Sequence, residues 1–127
     1  MSNIFVFRRF IKALKDAARG IREAFVEQSF RTLFVIAVIV GACLFFFPLS
    51  SAERGVLVLV IVLVLSLELI NSQIERVLDI LRPDYDEEVR KMKDISAGAV
   101  LVASIGAVVV GTIIILPHLL AKVSHFL

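Results

Sequence analysis

Three carboxylates, Glu68, Glu75 and Asp79, stand within or beside a strongly apolar run of sequence, where an acid is costly. A charged side chain deep in a membrane helix costs on the order of 2.5 to 3.5 kcal/mol, so such residues face a protein interior and a functional partner. At 100° per residue, Glu68, Asn71, Ser72, Glu75 and Asp79 fall within a sector of about 100° and form one polar stripe. Leu69, Ile70, Ile74, Val77 and Leu78 lie largely on other faces. Counted from Arg76 as the inner anchor, Glu68 is roughly 12 Å deep.

Three kinds of chemistry compete for this stripe. Glue between helices would be satisfied by Asn71 and Ser72 alone. A proton or cation pathway would spread its acids through the span rather than gather them in one third of it. Metal and phosphate chemistry explains the placement best, because Mg²⁺ takes hard oxygen ligands and commonly binds through one or two carboxylates plus substrate phosphates. Arg76, Arg90 and Lys93 are at hand to oppose phosphate charge.

The elements that carry the stripe follow from hydropathy. Of 127 residues, 59% are hydrophobic and 20% charged, far from the balance of a soluble globular chain. A helix crosses a bilayer with about 20 mainly apolar residues, and spans are expected at about 32–49, 56–75 and 95–120. The brief connection Ser50 to Gly55 after Pro48 makes the first two spans an antiparallel hairpin. The second helix continues to Leu81, because Pro83 disfavours helix in the residue before it. Arg82 to Lys91 is dense in both signs of charge and therefore aqueous. Ala99, Ala103, Ala107 and Gly111, each four apart, form a small-residue stripe suited to close helix packing in lipid.

Ahead of the first span, Phe7, Phe10, Ile11, Leu14, Ala18, Ile21 and Phe25 recur at helical spacing. Arg8, Arg9, Lys12, Lys15, Arg19 and Arg22 fall mainly elsewhere, which gives an amphipathic helix over about 4–25, lying in the membrane interface with its cations among anionic headgroups. Gly20 and the polar residues after it mark an interruption before the first span. The fold class is thus an all-α membrane protein, a surface helix followed by three transmembrane helices in a single domain over 1–127. A nucleic-acid partner is not expected, since no aromatic platform or recognised motif accompanies the cations.

The chain is read as beginning at Met1 without a cleaved leader. Net charge is only +2, so its distribution matters more. Twelve of the 14 Lys and Arg residues lie before the first span or after the second, against Arg54 and Lys122 on the other side, which places the N-terminus in the cytoplasm. Cys43 reads as an apolar filler and His118 and His125 as interfacial. Gly106 to Thr112 has the glycine spacing of a phosphate loop but lacks its lysine and lies in mid-membrane.

The string Glu68-Leu-Ile-Asn71-Ser72-Gln-Ile-Glu75-Arg-Val-Leu-Asp79 resembles the signature of the small bacterial diacylglycerol kinase family, which includes undecaprenol kinases. The resemblance extends to the basic surface helix, Ala24-Phe25-Val26-Glu27 before the first span, and Lys93-Asp94 opening the third. Gln73 departs from the pattern, which usually has a small residue there.

By position, the resemblance implies that Glu68 is the general base for a lipid hydroxyl and that Glu75 and Glu27 are Mg²⁺ ligands. On residues alone Glu27 reads as a solvated interfacial carboxylate. Asn71, Lys93 and Asp94 are implied at the ATP site, Arg9 as a further contact, and Ser72 and Asp94 beside the lipid. The resemblance also implies a homotrimer in the bacterial cytoplasmic (inner) membrane, with active sites combining neighbouring subunits. Glu27-Gln28-Ser29-Phe30-Arg31 is closer to the diacylglycerol branch than to the undecaprenol branch, where an asparagine and a histidine are expected nearby, so diacylglycerol is the first expectation and undecaprenol the alternative. A non-catalytic subunit or small ion-conducting oligomer is the reading from another class, and it predicts neither ATP turnover nor Mg²⁺ dependence.

Overall fold

The computed structural model describes residues 2–84 and 86–124, with side chains from Phe5 onward. Among the described residues there are four helices and no strand: α1 (Ser2–Ala24), α2 (Gln28–Phe46), α3 (Ser51–Leu81) and α4 (Glu87–Ser124). The last three are long and apolar enough to cross a membrane, and α1 is the N-terminal amphipathic helix. Val35, Ile39, Leu59, Val62 and Val102 are all more than half exposed on these helices, a distribution suited to lipid rather than water.

Local chemistry sets the helix ends. α1 runs through Gly20 without a break, and the interruption falls later, at Phe25 to Glu27. There three successive N–H groups, of Phe25, Val26 and Glu27, donate to the carbonyls of Arg22, Glu23 and Ala24. The turn is pinned by aromatic packing: the ring of Phe25 meets Phe30 edge-on at 5.1 Å and Phe34 at 4.9 Å between centroids. Glu27 is the N-cap residue of α2, with extended backbone and a side chain that makes no cap hydrogen bond.

α3 begins five residues ahead of the apolar run because Ser50 and Glu53 form a capping box. The Glu53 N–H donates to Ser50 Oγ at 3.2 Å, and the Ser50 N–H donates to Glu53 Oε2 at 2.7 Å. At its other end α3 stops at Leu81, two residues before Pro83. Asp86 then opens α4, its Oδ1 accepting the Val89 N–H at 2.9 Å. α4 continues through Pro117.

α3 is the central element, since both α2 and α4 pack against it. Its buried residues are Leu57, Val64, Glu68, Asn71 and Ser72, so the interior passes from apolar to polar along one helix face. At one end of the bundle His118 Nε2 on α4 lies 3.2 Å from Glu53 Oε1 on α3. At the other, Lys93 Nζ donates to Asp79 Oδ1 at 2.5 Å. The α3–α4 register is therefore held from both ends.

Candidate functional site

The polar stripe of α3 is graded in burial. Glu68 is 3% exposed and Asn71 and Ser72 are buried, Glu75 is half-buried, and Asp79 is exposed. A one-sided sequence of this kind arises because the stripe shares its face with Leu57 and Val64, which pack between α2 and α4.

Asn71 Nδ2 donates to Glu75 Oε1 at 3.2 Å, one turn away. Among the described residues, Asn71 Oδ1 and Glu68 Oε1 are buried without a hydrogen-bond partner. Buried polar atoms are nearly always paired, and leaving one unpaired costs about 1–3 kcal/mol, more for a charged group. These two oxygens are acceptors that a donor or cation from outside the described residues could satisfy.

Glu27 approaches the stripe from α2. Freed from capping, its Oε1 accepts from Arg76 Nη2 at 2.8 Å, and Arg76 is the chain neighbour of Glu75. Both side chains of this pair remain more than a third exposed, so the link is a solvent-accessible one. Glu27 is thereby placed beside Arg76, the residue that follows Glu75 in α3.

The remaining site residues expected from sequence sit in an outer layer. Lys93 is held on Asp79, and Asp94 receives Arg90 Nη1 at 2.8 Å, with Arg90 also bridging to Glu87. Arg9 is not brought to the stripe: it lies on the exposed α1, with its guanidinium 5.2 Å from the ring centroid of Phe5. His125 lies outside the described residues. The contacts sequence reasoning missed are Arg76 with Glu27 and His118 with Glu53, separated by 49 and 65 positions.

The oxygens on this face are of the hard kind that a divalent cation such as Mg²⁺ takes. Among the described residues no three His, Cys, Asp or Glu side chains are grouped as a cage. Glu75 and Asn71, one turn apart, place a carboxylate and an amide oxygen on this face, while the Glu27 carboxylate is engaged by Arg76.

A family profile described as prokaryotic diacylglycerol kinase matches residues 15–115. A protein named undecaprenol kinase from Bacillus subtilis is 36% identical over 112 residues, covering 87% of this chain and 91% of its own. A protein named diacylglycerol kinase from Escherichia coli K12 is 33% identical over 120 residues, covering 92% and 97%. Another of that name from Synechocystis is 42% identical over 113 residues, covering 86% of this chain and 63% of its own.

Proposed function

The chain belongs to the prokaryotic diacylglycerol kinase family and is a lipid kinase, and from that premise we propose that it phosphorylates diacylglycerol to phosphatidic acid with ATP at the cytoplasmic membrane face. The observation that carries this reading is Glu68, a buried carboxylate with one oxygen unpartnered, on the same helix face as Glu75.

In the transfer, Glu68 takes the proton as the lipid O–H bond breaks. The hydroxyl oxygen forms a bond to the γ-phosphorus, the bond from that phosphorus to the β-phosphate bridging oxygen breaks, and ADP leaves. Phosphoryl transfer asks a protein mainly for positioning and charge neutralisation. Glu27 and Glu75 would hold Mg²⁺, which when bound supplies neutralisation of phosphate charge. Asn71, Lys93 and Asp94 serve the nucleotide, and Ser72 and Asp94 orient the lipid hydroxyl. Lys93 leaves Asp79 for phosphate in that role, an exchange available to a pair at the bundle edge. The protein works as a homotrimer in the bacterial inner membrane, N-terminus in the cytoplasm, consistent with the placement of twelve of its 14 cations.

Undecaprenol is the second reading, favoured by the 36% identity to the Bacillus subtilis protein of that name. The test is transfer from γ-labelled ATP to diacylglycerol or undecaprenol in mixed micelles, with Glu68→Gln and Glu75→Gln alongside. Diacylglycerol turnover that both substitutions abolish supports the proposal. Transfer to undecaprenol alone overturns the choice of lipid, and full activity in both variants overturns the residue roles.

A further inference from the structure

Arg76 stands eight residues from the buried acid Glu68, about 12 Å along α3 and about 80° around it, so it borders the polar stripe without belonging to it. We propose that Arg76 is a further nucleotide-binding residue, whose guanidinium exchanges the Glu27 carboxylate it holds in this structure for a phosphate oxygen of ATP; the proposal rests on the lipid kinase reading.

Helix register puts this guanidinium at the exposed end of the stripe. It reaches from α3 to the start of α2, where its Nη2 donates to Glu27 Oε1 at 2.8 Å. One turn further along α3, Asp79 takes Lys93 from α4. The end of the stripe is thus bordered by a guanidinium on its α2 side and an ammonium on its α4 side, each resting on a carboxylate. Arg82 and Arg90 are placed differently. They pair with acids three or four positions away, Arg82 with Asp86 and Arg90 with Glu87 and Asp94, in the connection and the first turns of α4.

The Glu27 contact is one that a phosphate can replace. Both side chains of the pair are more than a third exposed, so water screens their attraction and the pair is weakly held. A phosphate group presents several charged oxygens, which a planar guanidinium meets with two parallel N–H donors, a stronger and more directional contact. Glu27 also makes no cap hydrogen bond to α2, so its release from Arg76 leaves the helix start as it was. The exchange uncovers Glu27 Oε1 as the nucleotide arrives, which couples the availability of that carboxylate to the presence of phosphate.

The test measures ATP binding to the full chain in mixed micelles containing EDTA, through displacement of fluorescent trinitrophenyl-ATP by ATP or by adenosine. Arg76→Gln should weaken ATP binding by about tenfold, the size of one lost charge-assisted contact, and leave adenosine, which has no phosphate, unaffected. Glu27→Gln should act in the opposite direction and tighten ATP by about threefold, because the carboxylate no longer competes for the guanidinium. In the Arg76→Gln background, Glu27→Gln should add nothing. In turnover assays Arg76→Gln should raise the KM for MgATP about tenfold with the KM for lipid unchanged, and Arg76→Lys should recover part of the loss. Unchanged ATP affinity in Arg76→Gln, equal losses for ATP and adenosine, or parallel losses in both single variants would each overturn the proposal, the last marking the pair as structural. Normal lipid phosphorylation together with unchanged ATP affinity in Arg76→Gln would overturn it while leaving the kinase reading in place. The expected binding pattern without transfer to any lipid would uphold the phosphate contact and remove the kinase reading instead.

Discussion

Asn71 donates its amide N–H to Glu75 across 3.2 Å, so the half-buried carboxylate is steadied by a buried neighbour whose own oxygen has no partner among the described residues. If that steadied carboxylate binds Mg²⁺, Glu75→Gln should raise the half-saturating Mg²⁺ concentration by at least about tenfold, since even indirect supports of a metal typically cost 10 to 100-fold in affinity. The glutamine oxygen still accepts from Asn71, so the fold is kept while the charge is lost. A Mg²⁺ titration at saturating ATP reads the effect, and an unshifted curve would remove Glu75 as a ligand.

Glu68→Gln separates activity from stability. A general base contributes about 10² to 10⁴-fold to rate, and a loss of that size is expected in steady-state phosphoryl transfer. Stability should change little, because glutamine keeps the shape of the side chain at a position where Glu68 Oε1 has no partner among the described residues to lose. Thermal unfolding in micelles checks this: a large fall in Tm together with lost activity would mark Glu68 as structural.

Residues that act through their chain neighbours were legible in the sequence, and those that act across the bundle were not. The polar stripe of α3 and its end before Pro83 follow from helical period and backbone sterics, and both stand where expected. The surface helix and three spans were readable from hydropathy. Helix starts were harder: hydropathy placed the third span from about 95, but Asp86 starts α4 at Glu87, well outside the apolar run. The Ser50 and Glu53 capping box carries a local signature, S-x-x-E, that marks the start of α3 ahead of the apolar run. Arg76 meeting Glu27 and His118 meeting Glu53 depend on how whole helices register, which no local pattern encodes.

The Arg76 and Glu27 pair should matter more to chemistry than to folding. With side chains 45% and 39% exposed, it is worth no more than about 1 kcal/mol. Arg76→Ala and Glu27→Gln should therefore each lower unfolding free energy by about 1 kcal/mol or less, measured by reversible denaturation in mixed micelles. Glu27→Gln should nonetheless lose at least about tenfold in transfer rate at limiting Mg²⁺. Equal, small losses in both measurements would return Glu27 to a solvated interfacial role.

Acid should loosen α4 at its first turn. The Val89 N–H and then the Arg82 guanidinium hold the Asp86 carboxyl below the usual carboxylate range, in a segment outside the spans. Because its folded value lies below the unfolded value of about 3.9, Asp86 stabilises the fold above that pH, and the contribution fades as pH falls through the depressed folded value. Asp86→Asn keeps a cap-competent side chain but does not titrate. The wild type should therefore melt higher than Asp86→Asn near neutral pH, with the gap closing below about pH 4. A gap that stays constant between about pH 6 and pH 3 would show that the Asp86 charge does not hold the start of α4.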